Sequence, residues 1–249
     1  MSITSPLTIL FFVIGAVMGS FANVLIYRLP RNEKVSGRSK CPHCKNVLRA
    51  GELVPVLSFI FLKGKCAHCG GKISILYPLV EIASGILFVF ALFHASGGIL
   101  IAAVLAAALW TLLAIAVTDS LTKTIPDILN IPFVLMAIIY AWLTGFLPII
   151  APLAAGGFFA LQWIISRGRW VGSGDIILAA GIGFLLGEWQ MVVIAIAAAY
   201  IAGGVFAAGV LISGKKGRGS QMPFGPFLAI AAVIVLAWGE KLLGMLYRY

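Results

Sequence analysis

Apolar runs of bilayer length follow one another along almost the whole chain. They occupy residues 7–27, 76–95, 98–118, 127–146, 148–166, 175–187, 189–213 and 223–239, and the breaks between them carry glycine, proline or charge. About 20 consecutive apolar residues are what an α-helix needs to cross a hydrocarbon core about 30 Å thick. Backbone groups cannot stay unpaired in lipid, so each crossing has to be helical. A transmembrane β-barrel would alternate polar and apolar residues in short segments, and that pattern is missing. Only 10% of the residues are charged and 61% are hydrophobic, against about 25% charged in an ordinary soluble domain. The expected fold is an all-α polytopic membrane protein of about eight transmembrane helices. The run 175–187 is short and glycine-rich, which suits a tilted helix or one partly embedded in the bundle.

The net charge of +10 would suggest nucleic acid in a soluble protein, but its distribution argues against such a partner. Ten of the 18 basic residues lie between Arg28 and Lys72, opposed only by Glu33 and Glu52. This is the positive-inside pattern of a protein whose partner is lipid. Placing residues 28–75 in the cytoplasm puts the N-terminus outside. Alternation then brings Lys123, Arg167, Arg169, Lys215, Lys216 and Arg218 to the cytoplasmic side, with Glu188 and Glu240 outside and Lys241 and Arg248 as mild exceptions. The first run has no basic residues before it and is followed at once by Arg28 and Arg31, which favours a retained anchor over a cleaved signal. Three segments result: a first transmembrane helix at 1–27, a cytoplasmic cysteine segment at 28–75, and a multi-helix membrane domain at 76–249.

All four cysteines fall in the middle segment, as Cys41-Pro-His-Cys44 and Cys66-Ala-His-Cys69. Two such knuckles can close a tetrahedral zinc–sulfur site. A reducing cytoplasm disfavours disulfides, and a segment this small gains folding energy from a structural metal. A redox pair is the rival reading, but it lacks the βαβ surroundings of thioredoxin-like motifs. His43 and His68 lie inside the knuckles and read as solvated loop residues. With four protein ligands the metal would be structural and would leave no open position for chemistry.

The chain has eight acidic residues, and acids near membrane helices are functional candidates by default. Asp119 ends the run 98–118, while Asp175 follows Gly172-Ser-Gly174 and begins the run 175–187. The topology puts both at the cytoplasmic membrane edge, on different helices that can face one another. Two adjacent carboxylates cannot both ionise easily, so one retains a proton. That is the arrangement of an aspartic protease: one acid activates water and the other polarises the scissile carbonyl. Gly172 and Gly174 would allow positive φ and a close backbone approach. Asp127, in Ile125-Pro-Asp127, reads first as a helix cap. Glu81 reads as a partner for a basic residue of the cysteine segment, or as part of a second activity. Two other classes use such features: a proton-coupled transporter with acids near mid-membrane, and a non-catalytic zinc-binding assembly protein.

These residues together resemble the type IV prepilin peptidases, membrane-embedded aspartic proteases of bacterial inner membranes. The resemblance runs through Gly19-Ser-Phe-Ala-Asn23 to Pro30, both knuckles, Leu62-Lys-Gly-Lys-Cys66, Tyr77-Pro-Leu-Val-Glu81, Asp119 with Ile125-Pro-Asp127, Gly172-Ser-Gly-Asp175 and Pro223-Phe-Gly-Pro226. It implies that Asp119 and Asp175 are the catalytic pair. They would remove a short basic leader from prepilins or pseudopilins at the cytoplasmic face of the inner membrane. It also implies methylation of the new N-terminus with S-adenosylmethionine, since members that methylate carry the cysteine segment. The chain lacks a Gly-x-Gly-x-x-Gly fingerprint, and Glu52-Leu-Val-Pro55 departs from the Asn-Ile-Pro common there.

Overall fold

The computed structural model describes residues 5–213 and 222–246. The topological expectations for Lys215, Lys216, Arg218 and Arg248 lie outside these residues. Among the described residues there is no β-strand, only isolated bridges, and the architecture is helical as expected. The helices are α1 (Pro6–Arg28), α2 (Leu57–Phe61), α3 (Leu76–His94), α4 (Ile99–Thr122), α5 (Asp127–Leu143), α6 (Ile150–Ser166), α7 (Ser173–Leu186), α8 (Trp189–Ile212) and α9 (Gly225–Leu246).

Five of them, α1, α3, α4, α8 and α9, are long and apolar enough to cross a membrane. The other three apolar helices are shorter: α5 and α6 have 17 residues each and α7 has 14. At about 1.5 Å per residue α7 is only about 21 Å long, less than a hydrocarbon core. Five helices therefore qualify as spans by length and composition, and the count of eight is not reached among the described residues. The chain divides into two compact units, Met1–Ala114 and Ile115–Tyr249.

In the first unit α1 packs on α3 through small residues. A Cβ at Gly15 would lie 2.8 Å from the Gly85 Cα, and one at Gly19 would lie 2.7 Å from the Glu81 Cα. Close backbone approach of this kind drives helix association where lipid removes the hydrophobic incentive. Two hydrogen bonds fix the register: Ser84 Oγ donates to the Gly15 carbonyl (2.6 Å), and Asn23 Nδ2 donates to the Tyr77 carbonyl (3.1 Å). Beyond α1, the Arg28 guanidinium donates to the carbonyls of Lys34, Val35, Ser36 and Arg38 and so folds the chain back around itself. The cysteine segment is not uniformly polar, because α2 leaves Leu57, Ile60 and Phe61 exposed.

The second unit is organised around α7, which packs against α5, α6, α8 and α9. Gly181 abuts the Phe133 ring of α5, where an added Cβ would lie 2.6 Å away, and Gly183 is pressed against Pro152 of α6. The short helix is thus embedded in the bundle, and its two glycines are contact points for its neighbours.

Candidate functional site

Asp119 lies in the last turn of α4 and Asp175 in the first turn of α7, both within the second unit. Asp119 is 4% exposed, and its Oδ2 accepts a hydrogen bond from the Gly225 N–H at the start of α9 (2.8 Å). Asp175 Oδ2 accepts from the Gly172 N–H (3.0 Å), the residue that caps its own helix. Each carboxylate therefore meets backbone donors at a helix N-terminus, where the peptide dipoles converge on an anion. The two are near enough for the charge on Asp119 to act on Asp175. Asp175 Oδ1 is buried and has no hydrogen-bond partner.

The α4–α5 connection holds the second acid in place. A Cβ at Gly174 would lie 2.9 Å from Ile125 Cβ, and Asn130 Nδ2 of α5 donates to the Gly174 carbonyl (2.8 Å). Neither Gly172 nor Gly174 has positive φ. The glycines serve close approach, and at Gly174 the Ile125 side chain lies against the backbone. Gly225 is constrained in the same way, since a Cβ there would lie 2.8 Å from Asp119 Oδ2.

Several contributors were not singled out by the sequence reading. Asn130 is fully buried, and Tyr200 donates to Gln162 Oε1 (2.8 Å). Tyr200 also packs on Phe159 and Phe224 and lies within electrostatic range of Asp175. The available signal was an isolated amide inside an apolar run, as at Asn130 and Gln162. Such a group in lipid needs a partner. The motif Pro223-Phe-Gly-Pro226 does more than start a helix, because the Gly225 N–H reaches Asp119.

Two expectations are corrected. Asp127 is the first residue of α5 but makes no side-chain cap bond, and it is exposed. Pro126 occupies the cap position and lacks a suitable side chain. Glu81 does not pair with a basic residue: its Oε2 accepts the backbone N–H of Val56 (2.7 Å).

The four cysteines converge in the first unit, their sulfurs all within 4.8 Å of one another. Cys41 Sγ and Cys69 Sγ are 3.9 Å apart, close to the separation of about 3.8 Å implied by tetrahedral zinc–sulfur bonds of about 2.3 Å. The knuckles share one design. In each, an antiparallel bridge closes the turn (Lys40 with Val47, Lys65 with Lys72), and a positive-φ residue follows the second cysteine (Lys45, Gly70). The Cys44 and His43 N–H groups lower the Cys41 thiol to about 7, and those of Cys69 and His68 lower Cys66. At Cys44 a bond from the Asn46 N–H is outweighed by burial and the neighbouring sulfurs, which push the thiol up to about 11. Four thiols this close cannot all ionise unaided, and a divalent cation would relieve the repulsion.

Membrane-length helices, one buried and one half-buried acid meeting helix N-termini, and a separate four-sulfur cluster define the molecule as a multi-pass membrane protein with two chemically distinct sites. Residues 13–95 match the bacterial peptidase A24 N-terminal domain, and residues 105–208 match the type IV leader peptidase family. The chain is 33% identical to a prepilin leader peptidase/N-methyltransferase of Dichelobacter nodosus, covering 98% of this chain and 96% of the relative. It is 34% identical to a protein of the same name from Bacillus subtilis, over 93% of this chain and 94% of that one. A third, from Stutzerimonas stutzeri, is 32% identical over 92% and 90%. No solved structure gives a significant match. The chain belongs to the type IV leader peptidase family. Nothing in these likenesses favours a transporter.

Proposed function

We propose that the protein is a bifunctional membrane enzyme that cleaves the leader from prepilins or pseudopilins with Asp119 and Asp175 and then methylates the new N-terminus. The pairing of two carboxylates at helix N-termini, one with an unpartnered oxygen, carries the peptidase half. The ionised acid takes a proton from water, and the protonated acid donates a hydrogen bond to the scissile carbonyl. The attacking oxygen adds to that carbon, and the leaving amine recovers a proton as the tetrahedral species collapses. Asp175 Oδ1 is the oxygen free to meet the incoming groups. The positive-inside pattern supports a cytoplasmic placement for the cysteine segment and both acids. The basic leader would then stay in the cytoplasm while the apolar stretch behind it lies in the bilayer.

The names of the relatives support the methyltransferase half. The sulfur cluster fits zinc held by Cys41, Cys44, Cys66 and Cys69, in a structural role. S-adenosylmethionine would supply an electrophilic methyl group when bound, and a cavity of the first unit is large enough to hold it.

The test is to incubate purified protein with a prepilin and S-adenosylmethionine and weigh the product. Loss of the leader and gain of a methyl group are separate mass changes. Asp119→Asn and Asp175→Asn each retain the side-chain shape and should lower cleavage by at least about 10³-fold. Normal processing by either variant refutes the assignment.

A further inference from the structure

The first unit contains a cavity of about 720 Å³, within the range of about 300–1,000 Å³ usual for small-molecule sites. Phe59 and Tyr77 offer aromatic faces on its wall, suited to a heteroaromatic ring or a sulfonium cation. Three acids border it. Glu33 is exposed, and Glu52 is engaged by the Arg49 N–H (2.6 Å), whereas Glu81 is 7% exposed.

Glu81 is held from three sides. The Val56 N–H and the Ser20 hydroxyl both hydrogen-bond its carboxylate, and Gly19 of α1 presses against its Cα. The bond from Val56 depends on an unusual backbone. Val56 has φ 62° and ψ −49°, with the Leu57 N–H donating to the Pro55 carbonyl (2.6 Å). This is a γ-turn of the rare positive-φ kind, and a β-branched residue seldom occupies it. Strain of this kind persists where surrounding structure imposes it, commonly at functional sites. Among the described residues no lysine or arginine acts on the Glu81 carboxylate. Arg28, Lys34, Arg38, Lys40, Lys45 and Lys72 also line the cavity, yet none pairs with Glu81, which leaves this carboxylate open to a cation from outside.

We propose that this cavity is the methyl-transfer site, that it binds S-adenosylmethionine, and that Glu81 receives the ammonium group of the newly exposed substrate N-terminus and takes its proton. The inference rests on the bifunctional reading above. The proton passes from the ammonium to the Glu81 carboxylate, leaving a neutral amine. The amine lone pair forms the N–C bond to the donor methyl as the C–S bond breaks and its electron pair returns to sulfur. The products are a methylammonium terminus and the neutral thioether S-adenosylhomocysteine, and the Glu81 proton leaves to water.

The experiment uses the full-length protein, a pilin peptide with a free N-terminus, and S-adenosylhomocysteine as the binding probe. Glu81→Gln retains an oxygen for the Val56 N–H but removes the charge. It should lower methylation about 100-fold, leave probe affinity within about threefold by calorimetry, and leave prepilin cleavage intact. Its residual rate should climb about tenfold per pH unit below the amine's own pKa of about 7.7–8.0, because the amine must then deprotonate without help. Ser58→Trp, which fills the cavity, should weaken the probe at least about tenfold. Methylation by Glu81→Gln above about a tenth of the unmodified rate overturns the role of Glu81, and unchanged probe affinity in Ser58→Trp overturns the site. Should Glu81→Gln also lose cleavage, Glu81→Asp decides: partial methylation supports the assignment and none overturns it. If the unmodified protein cleaves but never methylates, the bifunctional reading itself fails, and the variants do not enter into that result.

Discussion

The two units hold their acids with backbone donors, but set those donors on different scaffolds. In the second, Asp119 and Asp175 are supported by backbone donors at helix N-termini, and their scaffold is an apolar helical bundle packed through Gly181, Gly183 and Gly174. In the first, Glu81 is supported by a strained loop, Val56, that belongs to the segment between α1 and α3. The proposed catalytic pair therefore rests on the packing of the bundle around it. The first unit's site depends on a small segment that lacks a large core and is organised by four sulfurs. The contrast separates a site built into regular structure from one built onto an insertion.

The largest effect that would sharpen this contrast is a dissociation of activities. Asp175→Asn should lower leader removal by at least about 10³-fold and leave methylation of an already cleaved peptide unchanged. Parallel loss of both, measured on the two substrates separately, would break the division of labour. Next comes the metal. Cys66→Ser should abolish stoichiometric zinc measured by elemental analysis, open residues 28–75 to proteolysis and abolish methylation. Leader cleavage should change by less than about tenfold, since structural zinc stabilises the segment it folds. Acidification should release the metal from the intact protein. Protons compete for the sulfurs as the pH falls, and at Cys41 they do so below about pH 7.

A smaller effect is expected at Gly225→Ala, where the added methyl would crowd Asp119 Oδ2 and displace its backbone donor. Cleavage should fall about 10–100-fold at unchanged protein abundance. The smallest is Asn130→Leu, which removes the bond to the Gly174 carbonyl. It should cost about 1–3 kcal/mol of stability, read as a lower unfolding temperature, with less than about tenfold loss of cleavage.

Much of this was legible in the chain. Hydropathy gave the helices, because lipid imposes one length and one backbone solution. Paired Cys-x-x-Cys spacing gave the sulfur cluster, and Asp119 with Asp175 stood out because acids are scarce in such company. The span count did not follow, because α5 and α6 are shorter than the apolar runs that contain them and α7 has only 14 residues. The partners of Asp119 and Glu81 did not follow either. A backbone N–H belongs to every residue but proline, so nothing in the identity of Gly225 or Val56 announces which acid it will meet. Asp127 misled for the related reason that a favourable residue one position inside a helix makes no cap.

The Asn23–Tyr77 hydrogen bond places the exit and return of the cysteine segment side by side on a closed helix pair. The α1–α3 contacts at Gly15–Gly85 and Gly19–Glu81 lie within the stem itself, and closing a loop grows costlier only logarithmically with its length. Residues 31–74 therefore form a replaceable cassette: a short glycine–serine bridge in their place would leave the α1–α3 stem joined, and a foreign domain with adjacent termini could be mounted there.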